Sequence, residues 1–203
     1  MRSWLLAMMA AVGLASACTG PESVAQRDAR EAIARGDYRL KPPEAMKDAK
    51  DRQYGLAYNA IIVAEQPFIT PTNPLEEAMV ALARNPSQEN ERAFEAALLA
   101  SQVYVLTSKE GLAAFKADPT KITFTRLPTD PGRPYAMVLY TSRARLHQGM
   151  HNETKWYWLS MPGRAALATG QKYPIALNYG LRPPIYIEQV QVAQMLARNP
   201  PSP

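Results

Sequence analysis

The sequence is poor in the residues that most catalysis and cross-linking use. It holds one cysteine and two histidines among 203 residues. A single cysteine excludes an intramolecular disulfide and any cysteine-built zinc cage. Gly-x-Ser-x-Gly, a glycine-rich phosphate loop and His-Glu-x-x-His are all absent, so the common nucleophile–base pairs and zinc-peptidase chemistry lack their parts. The charge excess is small. Twenty-three Lys and Arg against 18 Asp and Glu give +5, or +4 once a leader carrying Arg2 is removed. The arginines scatter along the chain, which argues against nucleic-acid binding. What is present, 47% hydrophobic and 20% charged residues, suits one domain with a real core plus an extra segment, and is too little for two full domains.

The place of the one cysteine assigns a compartment. Arg2 precedes the apolar run Trp4 to Leu14, which is too short to cross a bilayer and leads into Ala15-Ser16-Ala17. That is the layout of an export signal over residues 1–17. Cys18 follows at once, which resembles the lipobox of bacterial lipoproteins, where the thiol is acylated and the cysteine becomes the first residue. The pattern departs at Ala15, where leucine is usual; Leu14 stands one place earlier. Ordinary cleavage at the same bond would leave a free thiol, a liability in an oxidising compartment, so lipidation of Cys18 is the expectation. Thr19 comes next, unlike the aspartate that retains such lipoproteins at the inner membrane. The expected location is the cell envelope, at the periplasmic face of the outer membrane, with membrane contact through an N-terminal lipid.

Residues 18–72 read as a lipidated N-terminus and a partly helical tether. Val24 to Arg35 has alanines and Ile33 at helical spacing, with Gly36 as a stop. Glu44 to Gln53 is a charged run that could form a second exposed helix after Pro42-Pro43, and Leu56 to Ala64 is apolar enough to be buried as helix or strand. Pro67, Pro71 and Pro74 make a stiff connector.

Residues 73–198 read as the domain proper, followed by a tail over 199–203. Asn73 caps a helix that Pro74 opens and Glu76 and Glu77 favour through its dipole, with Leu75, Met79 and Leu82 as the apolar stripe. Asn85-Pro86 stops it, Ser87 starts a second helix that buries Phe94, Leu98 and Leu99, and Val103 to Leu106 is a strand. Lys109 to Asp118 is a helix and Lys121 to Leu127 a half-buried strand, with Asp130-Pro131-Gly132 as a turn. Ala136 to Tyr140 is apolar throughout, as a central strand covered on both faces would be. Thr141 or Ser142 caps a helix that Gly149 ends. Lys155 to Leu159 is a strand, Ser160 a further cap and Gly170 a further stop. Ile175 to Leu177 and Ile185 to Ile187 are short strands around Asn178-Tyr179-Gly180, and Glu188 to Arg198 is a closing helix with Val190, Ala193 and Leu196 inward. The alternation lacks a regular βαβ rhythm, so the expected fold class is α+β, a single mixed sheet with helices packed on it.

The order of Asn73, Leu75, Phe94-x3-Leu98-Leu99 and Val103-Tyr104-Val105 resembles the opening of the SseB N-terminal-domain family, the enhanced serine sensitivity proteins. Tyr140-Thr141-Ser142 is similar to the family's aromatic-Thr-Ser at a strand end. Gly163 and Leu167 match its following helix, and Asn178 with Gly180 matches its Asn-Pro-Gly turn, with Tyr179 in the proline's place. The family name records a phenotype, and the resemblance carries over no mechanism and no catalytic residues.

Several candidate sites compete with plain structural roles. His147 and His151 are spaced as two zinc ligands on a helix, but Gly149 lies between them and only Glu153 could be a third, so no metal and no cofactor is expected. Trp156 and Trp158 share a strand face, where they could stack on a sugar or a partner, or simply fill the core. Arg143, Arg145 and Arg164 follow strand ends and could hold an anion or lie solvated. The function these readings support is a membrane-anchored envelope protein that binds another, unknown envelope protein as a scaffold, without catalysis. The partner surface is expected where Thr141, Ser142 and Arg143 meet Asn178 and Tyr179, with Tyr179 exposed beside Arg143. The alternative is a hydrolase or transferase using carboxylates such as Glu110 or Asp130.

Overall fold

The computed structural model describes residues 22–42, 45–119, 121–128, 135–150 and 157–200. The signal with Cys18, the Asp130-Pro131-Gly132 turn, His151, Glu153, Trp156 and the last three residues of the tail lie outside the described residues. In chain order the elements are α1 Val24–Ala34, α2 Ala49–Glu65, α3 Pro74–Arg84, α4 Gln88–Ala100, β1 Gln102–Thr107, α5 Lys109–Ala117, β2 Arg126–Leu127 and β3 Ala136–Tyr140. There follow α6 Arg143–Gly149, β4 Tyr157–Pro162, α7 Gly163–Gly170, β5 Ile175–Leu177, β6 Ile185–Ile187 and α8 Gln189–Arg198.

The strands form one mixed sheet of order β4-β1-β3-β5-β6, with β2 beside the first half of β3. Only β3 and β5 run parallel; the other neighbours are antiparallel. The fold class is therefore α+β, and Ala136 to Tyr140 is its central strand. All five of its residues are buried because alternate side chains enter two different cores. Met137 and Leu139 join Leu75, Met79, Phe94, Leu98, Leu167 and Val192 beneath α3, α4, α7 and α8. Ala136, Val138 and Tyr140 face the other way, toward Leu146 and Met150 at α6. Each fully buried aliphatic side chain contributes about 1.5–3 kcal/mol relative to exposure, so both layers stabilise the strand. Gly163 opens α7 where a β-carbon would stand 1.9 Å from the Leu98 carbonyl oxygen. That contact lets α7 lie directly on α4.

Local signals placed the first helices well. The Asn73 side chain accepts from the Glu76 N–H at 3.0 Å, Pro74 stands in the first turn, and Ser87 caps α4 by accepting from Asn90 at 3.2 Å. Three details differ from the sequence reading. Of Lys121 to Leu127 only Arg126–Leu127 is strand, because β1 diverges from β3 and leaves room for just two pairs. Ser160 is not a cap: β4 runs on through it to Pro162, paired with β1 at all six positions. In α8 the buried face is Gln191, Val192 and Met195, with Val190 61% exposed. Both stripes satisfy a helical repeat, and packing of Val192 and Met195 into the core beneath the sheet selects the second.

Leu56 to Ala64 is helical, as the second part of α2. Ala25, Ala29 and Ala32 of α1 let it pack closely on Tyr58 and Ile62. This helix pair is joined to the sheet domain at several points. The Ile69 N–H donates to the Arg182 carbonyl at 2.7 Å, Arg182 donates to the Gln66 carbonyl at 2.9 Å, and Leu40 sits on Gly180.

Candidate functional site

The strand end Tyr140-Thr141-Ser142 and the turn Asn178-Tyr179-Gly180 do meet. The Thr141 N–H donates to Asn178 Oδ1 at 3.0 Å, the Asn178 N–H donates to the Leu139 carbonyl at 2.8 Å, and the buried Tyr140 hydroxyl donates to the Tyr179 carbonyl at 3.1 Å. Asn178 holds φ +55, a left-handed conformation that asparagine tolerates better than most residues. Its side chain and that of Thr141 are buried, while Ser142 caps α6 by accepting from the Arg145 N–H at 3.2 Å.

Beneath this junction lies a buried ion pair. Glu76 is fully buried, and Arg145 is 12% exposed. Arg145 grips both carboxylate oxygens, at 3.1 Å through Nε and 3.0 Å through its terminal nitrogen. The Thr141 hydroxyl donates to the same carboxylate at 2.7 Å and accepts from the Asn178 amide at 3.1 Å. The Thr72 N–H and hydroxyl complete the set at 2.9 and 3.0 Å. Burial alone would raise the Glu76 pKa, but the bonds from Arg145, Thr141 and Thr72 outweigh it and hold the carboxyl at about 2. A carboxylate this acidic and this fully bonded neither gives nor takes a proton near neutrality. Arg145 also donates to the Thr70 carbonyl, so one guanidinium ties α6, α3 and the connector together. The sequence showed Glu76 only as a helix-start carboxylate. Its partner lies 69 residues away, and no local pattern links the two.

Arg143, two residues earlier, is exposed. Its guanidinium lies over the Trp158 ring at 5.2 Å, with its Nε donating to His147 Nε2 at 3.3 Å. Trp158 is half-buried and tilts against Tyr104 on β1 with 5.4 Å between ring centroids. This cluster sits on β4, an end strand of the sheet, whose outer edge pairs with no described strand.

The family of SseB protein N-terminal domains matches residues 75–194, more than half of the chain. The chain belongs to that family. No curated protein and no solved structure matches it. In this SseB domain the family-like turn is covered by the chain's own N-terminal segment. Leu40 lies against Gly180, and the Tyr179 hydroxyl donates to the Pro128 carbonyl at 3.4 Å. Tyr179 is therefore half-buried, with burial pushing its hydroxyl pKa up, and it packs beside Tyr140 and Leu146. The expected pairing of an exposed Tyr179 with Arg143 is not what the fold builds; the aromatic under Arg143 is Trp158.

The remaining candidates separate from one another. Arg164 donates to the Asn199 carbonyl and Arg145 is spent on Glu76, so the three expected arginines do not converge. Glu110 is exposed in the first turn of α5, where its own N–H and the Ser108 hydroxyl lower its pKa. Glu91 is shifted the other way, by burial and by Glu95 one turn on, which itself pairs with Arg198. Among the described residues no group of three His, Cys, Asp or Glu is placed to hold a metal, and no helix is long and apolar enough to cross a membrane. A shallow groove at Gln171, Lys172, Gln189, Val190 and Ala193 contains no carboxylate.

Proposed function

We propose that this SseB-domain protein is a membrane-anchored envelope lipoprotein, tethered through Cys18 at the periplasmic face of the outer membrane, that binds another envelope protein without catalysing a reaction. One observation carries the binding half of this reading: an exposed arginine on a half-buried tryptophan, with a tyrosine beside it, at the open edge of β4. Arg, Trp and Tyr are the residues most enriched at binding hot spots, and an unpaired strand edge offers backbone donors and acceptors to a partner. Of the five residues expected at the partner surface, Arg143 is the one whose side chain is exposed. Thr141 and Asn178 are consumed internally and do not face a partner. The anchor half rests on Ala15-Ser16-Ala17 directly before Cys18.

Crosslinking in intact cells, followed by identification of co-purified proteins, tests the binding half. Arg143→Glu with Trp158→Ala should remove the crosslinked partner while the purified domain keeps its melting temperature; where Trp158→Ala lowers that temperature, Arg143→Glu alone carries the test. A partner retained by a folded Arg143→Glu protein would sink the assignment of this surface. For the anchor, intact mass should show a lipidated N-terminal cysteine, and Cys18→Ala should leave the membrane fraction.

A further inference from the structure

A second cluster lies on a different face, where the connector after α2 meets the end of α3. Phe68 is half-buried over Ile69, Val80 and Leu181. Two guanidinium groups lie over its ring, Arg182 at 4.7 Å and Arg84 at 5.5 Å from the centroid. Neither arginine has a carboxylate within ion-pair distance among the described residues, whereas Arg145 and Arg198 each have one. Arg84 closes α3, where the helix dipole favours a cation. The dipole gives no reason for the second cation. Arg182 is oriented by donating one nitrogen to the Gln66 carbonyl at 2.9 Å, its one side-chain hydrogen bond among the described residues. Arg84 is exposed and makes no hydrogen bond to a described residue through its side chain. Two cations thus share one ring, and among the described residues neither meets a carboxylate.

We propose that Arg84 and Arg182, held on Phe68, form a phosphate-binding site. Planar guanidinium forks match phosphate oxygens bidentately, and stacking on an aromatic face fixes the plane of each fork. Both guanidinium carbons lie within 5.5 Å of the Phe68 centroid, so the two forks share one aromatic platform. The phosphate comes either from the solution or from an anionic lipid headgroup.

The test uses the full chain carrying Cys18→Ala, so that no acyl chain contributes. Calorimetric titration with inorganic phosphate, against chloride at equal ionic strength, should show saturable binding that Arg84→Ala weakens at least tenfold and that Lys116→Ala, at an exposed residue, leaves unchanged. Arg84→Ala removes no side-chain hydrogen bond among the described residues, so its fold should survive; Arg84→Lys should recover only part of the affinity. Sedimentation with phosphatidylglycerol vesicles and with phosphatidylcholine vesicles then distinguishes the source. Enrichment on the former that Arg84→Ala abolishes identifies a lipid headgroup, while equal recovery on both identifies free phosphate. No phosphate binding beyond the chloride control, or undiminished binding by Arg84→Ala, overturns the proposal.

Discussion

Arg143 and Arg145 are the same residue type, two positions apart on α6, and they do opposite things. At about 100° per residue, two positions turn a side chain by roughly 200°, so the two arginines leave the helix on opposite sides. Arg145 points at α3 and meets Glu76 in the interior, while Arg143 points past β4 and lies on Trp158 at the surface. A buried guanidinium is bound by everything it touches and acts as a bolt between elements. An exposed one over an aromatic ring keeps donors for something outside the chain. The inner side of α6 therefore carries stability, while its outer side leaves an exposed cation on an aromatic ring.

The sharpest way to break the comparison is to remove the bolt. Arg145→Ala leaves a buried Glu76 without its cation and should cost about 3–5 kcal/mol in urea unfolding; a loss below about 1 kcal/mol would mean that water reaches the carboxylate. Acid comes next in size. Glu76 titrates at about 2 in the folded protein against an ordinary value of 4.5, so the unfolded chain takes up the proton first as pH falls. Its contribution, of order 3 kcal/mol, is complete above pH 4.5 and disappears as pH drops toward 2. The stability difference between wild type and Glu76→Gln, measured across that window, should shrink accordingly; a constant difference would contradict the depressed pKa. Smallest is Arg143→Ala, expected to move unfolding by no more than about 0.5 kcal/mol. A larger loss would make the outer arginine structural as well.

Legibility followed the range of each interaction. The caps at Asn73 and Ser87, the proline at Pro74 and the buried run Ala136 to Tyr140 all act within a few residues and follow from the sequence. Between Thr141 and Ser142 the structure chooses Ser142 as the cap of α6. The face of α8 was misread, because Val190, Ala193, Leu196 and Val192, Met195, Leu196 are both acceptable helical stripes. Only packing against the sheet and α7 chooses between them. The pentapeptide Leu-Ala-Arg-Asn-Pro makes the same point twice over. At residues 82–86 and 196–200 it ends a helix both times. Yet Arg84 stacks on Phe68 while Arg198 pairs with Glu95, since the neighbours that receive them come from remote parts of the chain.

By itself, the sequence determined the family, the α+β class, the central strand and most helix starts, because backbone capping, proline geometry and side-chain alternation are settled by near neighbours. The tertiary structure alone decided that Glu76 is buried and joined to Arg145, that the Asn178 turn is covered by Leu40, and that Arg143 rests on Trp158. Each of those contacts joins residues separated by many places in the chain. Which remote side chain arrives is fixed by the order of strands in the sheet, and that order is a property of the packed whole.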